Sequence, residues 1–118
     1  MELTYPIPVK DYFRVVVEIF DFTPPFSLLR ERQKDVFAEF LRYHNEYKDY
    51  PDEVRDKLIF DYDTYQKIAD KLGVKRSTVY NVTSELRSLG LIVDNSIDKR
   101  FIIPKLDGLT FKFIENGK

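Results

Sequence analysis

The chain has no cysteine, no tryptophan, one histidine, one methionine and only four glycines in 118 residues. Without cysteine there is no disulfide framework, no thiolate nucleophile and no thiolate-ligated zinc or iron–sulfur site. His44 alone cannot build a multi-histidine metal centre. No apolar run approaches the roughly 18 residues that a membrane helix needs, and Val15-Val16-Val17 lies between Arg14 and Glu18. Met1-Glu2-Leu3-Thr4 has neither the basic start nor the apolar stretch of a secretory signal. A cytoplasmic location with no membrane partner is the expectation. Also missing are a Gly-rich phosphate loop, a Gly-x-Ser-x-Gly elbow and a pair of metal ligands at a recognisable spacing. No enzymatic activity, cofactor or metal is therefore expected. Asp56, Asp61 and Asp63 are close in sequence, but helix capping and solvation account for them. His44 is expected at the core boundary. A dominant charge sign is lacking too, with 19 Lys+Arg against 20 Asp+Glu. Taken as an average, that balance argues against a nucleic-acid partner, so its distribution matters.

What is present is enough for one folded domain. The residues are 43% hydrophobic and 33% charged, with 8 Tyr and 10 Phe. Such a chain buries about two-thirds of its unfolded surface. Residues 1–11 read as irregular around Pro6 and Pro8. Residues 12–20 are β-branched and aromatic and read as a strand, so residues 1–26 form an N-terminal strand segment. Its aromatics (Tyr5, Tyr12, Phe13, Phe20, Phe22, Phe26) are read as packing under the domain, with an oligomer or partner surface as the alternative. Beyond Pro24-Pro25, the steps of three and four among Val36, Phe37, Phe40, Leu41, His44 and Tyr47 predict a helix over 27–47. Pro51 opens a second helix expected to bury Val54, Leu58 and Ile59. Asp63 or Thr64 caps a third, from about 65 to Leu72, stopped by Gly73. A fourth runs from about 76 to 89 and stops at Gly90. Strands are expected at 91–93 and 100–103, with 94–99 turning between them. Residues 109–114 alternate and are expected as a last strand beside 12–20, within a C-terminal strand or tail over 106–118.

The most informative segment is 65–84, Tyr-Gln-Lys-Ile-Ala-Asp-Lys-Leu-Gly-Val-Lys-Arg-Ser-Thr-Val-Tyr-Asn-Val-Thr-Ser. Two helices that cross through a short turn must approach closely. Ala69 is small where they pass, and Gly73 suits the turn. Ile68, Leu72, Val74, Val79 and Val82 fill the wedge, and Leu86 and Leu89 extend the buried seam.

This segment resembles the winged helix-turn-helix superfamily. The likeness spans about residues 28–103, through Lys75-Arg76-Ser77-Thr78-Val79-Tyr80 and Glu85-Leu86-Arg87-Ser88-Leu89-Gly90-Leu91-Ile92. The size and the first long helix are also similar to small winged-helix proteins of tailed bacteriophages, for which the location is the host cytoplasm. The resemblance implies an α+β fold, mainly helical, with a winged domain over 27–105 and a C-terminal hairpin wing. It implies double-stranded DNA as partner and a role in transcription regulation, with helix 76–89 in the major groove. The candidate contacts are Lys75, Arg76, Ser77, Thr78, Tyr80, Asn81 and Ser84 on the helix, and Lys99 and Arg100 in the wing. Arg76 suits a guanine edge or a phosphate, and Asn81 suits adenine. Glu85 and Arg87 are expected to be solvated. The other reading of such a fold is a protein-interaction module in a replication, transcription or virion assembly, without base reading.

Charge follows the motif. Residues 64–105 hold eight basic and four acidic side chains, a net +4, which leaves −5 on the rest. So small an excess implies weak, salt-sensitive binding, strengthened by a homodimer or a larger complex.

Overall fold

A computed structural model describes residues 12–103 and the backbone of 2–5 and 109–112. The expectations for Pro6, Pro8, Pro104, Lys105, Gly108 and residues 113–114, and for the side chain of Tyr5, lie outside the described residues. The described part is mainly helical, with two small antiparallel sheets. In chain order it comprises β1 (Glu2–Tyr5), α1 (Tyr12–Ile19), α2 (Glu31–Glu46), α3 (Asp52–Ile59), α4 (Tyr62–Leu72), α5 (Arg76–Ser88), β2 (Ile92–Val93), β3 (Ser96–Ile97) and β4 (Leu109–Lys112).

The first correction is α1. Residues 12–20 are a helix up to Ile19, not a strand. Val15-Val16-Val17 favours extended backbone. However, Tyr12, Phe13, Val16 and Val17 recur at helical spacing and are buried together against α2. Tertiary burial outweighs the local preference, which amounts to tenths of a kcal/mol per residue. The outer side of α1 is tied to α2 by charge. Arg14 donates to Asp35 (2.8 Å) and Glu31 (2.6 Å). Lys34, only 5% exposed, meets Glu18 and Asp21 at 3.0 Å each. Asp21 and Glu18 push the Lys34 ammonium up to about 12, and Lys34 with Arg14 holds Glu18 below the usual carboxylate range. A strand does exist near the N-terminus, but at 2–5. It pairs antiparallel with β4, Glu2 opposite Lys112 and Tyr5 opposite Leu109. The expected pairing of the last strand with 12–20 is thereby replaced.

The long helix starts later than its apolar spacing implies. Phe26–Leu28 form a single 3-10 turn, Leu29 is extended, and α2 begins at Glu31. The Gln33 side chain fixes this start by accepting the Arg30 N–H at 2.8 Å. Of the aromatics before α2, Tyr12, Phe13 and Phe26 are buried. Phe26 packs on Phe37 and Phe101. Phe20 and Phe22 remain exposed, Phe22 at 78%.

Helix α3 differs from expectation in its inner face. Only Ile59 is buried, whereas Val54 and Leu58 are 44% and 38% exposed. The short helix turns its Arg55–Ile59 side inward instead, and Arg55 and Asp56 are half-buried there. Next to them on α2 is half-buried His44. Its Nε2, Arg55 Nε and Asp56 Oδ1 are all buried without a hydrogen bond. Burial, reinforced by the Arg55 charge, lowers the His44 pKa. The unfolded chain thus takes up a proton near pH 6.5 that the folded chain resists. Stability from this site is complete above about pH 6.5 and declines as pH falls, by at most about 1.4 kcal/mol per pH unit for one proton. Urea denaturation should show this loss between pH 7.5 and 5 in the wild type, and a flatter profile for His44→Gln. An equally steep profile in the variant would assign the loss to other groups.

The α4–α5 pair also packs against α2. Helix α4 starts at Tyr62, three residues before the expected position, because Asp61 rather than Asp63 or Thr64 is its cap. Asp61 accepts from the Asp63 N–H, and Thr64 is turned inward to donate to the Leu58 carbonyl at 2.5 Å. Gly73 ends α4 with φ +69, the left-handed conformation that an L side chain resists. Ile68, Ala69, Val79, Val82 and Leu86 are buried together with Phe37, Phe40 and Val17, so one core is continuous from α1 to α5. After Gly90 (φ +83), Leu91 and Ile92 enter that core.

The hairpin is much shorter than expected. Ile92 pairs with Ile97 and Val93 with Ser96, around Asp94-Asn95. Residues 100–103 are not its second strand. Lys99–Phe101 form a 3-10 turn capped by Asp98, which accepts the Arg100 N–H at 2.9 Å, and Ile102 and Ile103 continue without regular structure. A two-residue turn closes the ladder early. Asp94 takes φ +56, which Asp tolerates better than most residues.

Candidate functional site

Helix α5 is capped by Lys75, which has no side-chain acceptor to offer. Of the first-turn amides, the Thr78 N–H donates to the Lys75 carbonyl at 3.0 Å, which leaves those of Arg76 and Ser77 to face an outside anion. The buried stripe is Val79, Val82, Thr83 and Leu86. Thr83 is held by its own hydroxyl, which donates to the Val79 carbonyl at 2.7 Å. That leaves Ser77, Tyr80, Asn81, Ser84 and Ser88 exposed at steps of three and four, hence along one face. Thr78 is half-buried at its edge. Tyr80 is braced edge-on against Tyr65, ring centres 4.5 Å apart. Tyr65 is buried, which raises its pKa.

Arg76 is not a free arm. Its Nη1 donates to the Tyr62 hydroxyl and, at 3.0 Å, to Gln66 Oε1 on α4. The guanidinium also stacks on the Tyr62 ring, 3.9 Å from its centre. Two residues assigned to solvent have structural partners. Glu85 accepts from Arg30 (2.7 Å) and Gln33 (3.2 Å) of the α2 entry. Arg87 donates to the Asp94 carbonyl and to Asn95 Oδ1 (2.8 Å), which ties the end of α5 to the hairpin turn. No residue pattern within α5 reveals these ties, because their partners come from other elements.

The two basic residues after the hairpin differ. Lys99 is exposed, and no carboxylate pairs with it among the described residues. Arg100 is engaged by Asp98 through Nε and Nη2, both at 3.0 Å, and this contact holds Asp98 below the usual carboxylate range. Lys71 on α4 is likewise taken, by buried Glu39 at 2.7 Å. Of the eight basic residues in 64–105, these two are neutralised locally. Lys67, Lys75, Arg76, Arg87 and Lys99 remain without a carboxylate partner among the described residues. The structure thus gathers Lys75, Arg76, Ser77, Thr78, Tyr80, Asn81 and Ser84 on one helix, whereas Lys99 and Arg100 lie beyond the hairpin strands.

A groove of about 610 Å³ runs past Glu53, Asp56, Lys57, Phe60, Asp61 and Asn95. Its carboxylates are spread out, and no cluster of three metal-ligating side chains occurs among the described residues. No helix among the described residues is long and apolar enough to cross a membrane. Comparison with protein-family models, with curated proteins and with solved structures gave no match to this chain.

Proposed function

We propose that the chain is a winged helix-turn-helix protein that binds double-stranded DNA and regulates transcription. In this reading α4 and α5 are the helix-turn-helix, α5 enters the major groove and the β2–β3 hairpin is a short wing. The observation that carries it is the polar face Ser77-Tyr80-Asn81-Ser84, presented by a helix whose open N-terminus carries Lys75 and Arg76. These side chains can donate to and accept from base edges and phosphates. Beyond the hairpin, Lys99 is the basic side chain left to reach the backbone, since Arg100 is occupied by Asp98.

Five cations without a carboxylate partner set an upper limit on the strength of binding. With about four or five phosphates neutralised, log affinity should fall with log salt at a slope near −4. Fluorescence anisotropy with a randomised duplex pool should show binding at low salt, lost steeply as salt rises. No binding at low salt would sink the reading. A dimer or a larger complex would supply the contacts that one copy lacks.

One observation favours the other reading, a protein-interaction module. The exposed face of α5 is uncharged between Arg76 and Arg87, and an uncharged polar face also suits a protein partner. That reading predicts a protein partner recovered by pull-down from the native source, and no retention of duplex DNA.

A further inference from the structure

We propose that Tyr62, Gln66 and Asp70 of α4 are positioning residues that preset Arg76 as a guanine-reading fork. The proposal rests on the DNA-binding reading above. It assigns part of the base specificity to side chains that need not touch the DNA.

The geometry is a relay across the α4–α5 crossing. Asp70 Oδ1 accepts from Gln66 Nε2 at 2.9 Å. With its amide nitrogen so engaged, Gln66 presents Oε1 to Arg76 Nη1 at 3.0 Å. Turning the amide over would set an NH2 group against the guanidinium and break both bonds. The Tyr62 hydroxyl takes a second bond from Nη1, and its ring covers one face of the guanidinium at 3.9 Å. Nη1 thus donates to both α4 residues, and its plane is set by stacking.

The rest of the guanidinium is the part that reads. Nε and Nη2 have no partner among the described residues, so two parallel N–H donors remain on one edge. Guanine presents two acceptors, N7 and O6, in the major groove and matches that edge. Adenine presents N7 beside the N6 amino group, which opposes donor to donor. A clamped fork discriminates between them better than a free arginine, because its fixed plane cannot swing away to make a single bond with adenine N7 or a phosphate.

The test is selection from a randomised duplex pool, comparing wild type with Gln66→Ala, Tyr62→Phe, Asp70→Asn and Asp70→Ala. Wild type should enrich guanine over adenine at one position by tenfold or more. Gln66→Ala should lower that preference about tenfold while binding to unselected duplex changes less than about threefold. Tyr62→Phe keeps the ring but not the hydroxyl and should fall between. Asp70→Asn keeps an acceptor for Gln66 and should retain the preference that Asp70→Ala loses. A purely structural staple predicts a lower melting temperature with unchanged preference, and that result overturns the proposal. An equal loss across all sequences marks a phosphate contact and overturns it too. If wild type retains no duplex at all, the DNA-binding reading fails with it. Retention with unaltered preference removes this inference alone. Nitrogen-15 NMR of the DNA-free protein gives a separate readout. Guanidinium rotation of Arg76 should be hindered in wild type and released in Gln66→Ala, and free rotation in wild type would overturn the clamp.

Discussion

Phe40→Ala is expected to cost about 3–5 kcal/mol. Phe40 has no exposed surface. It lies where α2 meets α3 and α4, with its ring centre 5.1 Å from that of Phe60 and 6.0 Å from that of Tyr65. Truncation removes the transfer energy of the ring and leaves a cavity bounded by three helices that cannot all close in. Against a total of about 5–15 kcal/mol, the loss should lower the melting temperature by roughly 10–20 °C. Val54→Ala is the matched control, since its side chain is largely exposed and the change should stay within about 0.5 kcal/mol. Chemical denaturation of the two variants checks both numbers. A cost below about 1 kcal/mol for Phe40→Ala would show that the three helices do not share a sealed core.

The second large effect concerns DNA affinity. Arg76→Ala combined with Asn81→Ala should weaken binding to a selected site about a hundredfold or more, since each bidentate base contact is worth about 1–3 kcal/mol. Folding should barely respond. Asn81 is exposed, and Arg76 makes only partly exposed contacts with Tyr62 and Gln66, worth about 1 kcal/mol or less. Titration of wild type and variant by anisotropy, with melting curves alongside, separates the two quantities. Loss of folding would mean that this face of α5 is packed rather than presented. Unchanged affinity would move base reading away from Arg76 and Asn81 and favour the interaction module.

Parts of this architecture were legible in the sequence for a physical reason. The seam 79-82-86-89 and the glycine at 73 are local signals, because helical period and left-handed backbone are fixed by neighbours in the chain. The strand reading of 12–20 fails because β-branched propensity is weak and the outcome is decided by packing on α2, an element distant in the chain, as in the Glu18–Lys34 pair 16 positions apart. The hairpin was overextended for a related reason. Phe101-Ile102-Ile103 has strand composition, but the two-residue turn at Asp94-Asn95 uses Ser96-Ile97 as the partner and leaves 100–103 no strand to pair with. At the candidate site, exposure of Ser77, Tyr80, Asn81 and Ser84 followed from periodicity. The engagement of Arg76, Glu85 and Arg100 did not. Glu85 and Arg30 are 55 positions apart and meet only through the packing of α5 on α2. Local positive charge is likewise smaller than a count of cations gives, because the fold brings carboxylates to Lys71 and Arg100.

The bonds from Arg87 to Asp94 and Asn95 have a mechanical consequence. They join the C-terminal end of α5 to the turn between β2 and β3 through exposed side chains, so removing the Arg87 side chain would free the turn while Leu91, Ile92 and Ile97 keep the base of the hairpin in the core.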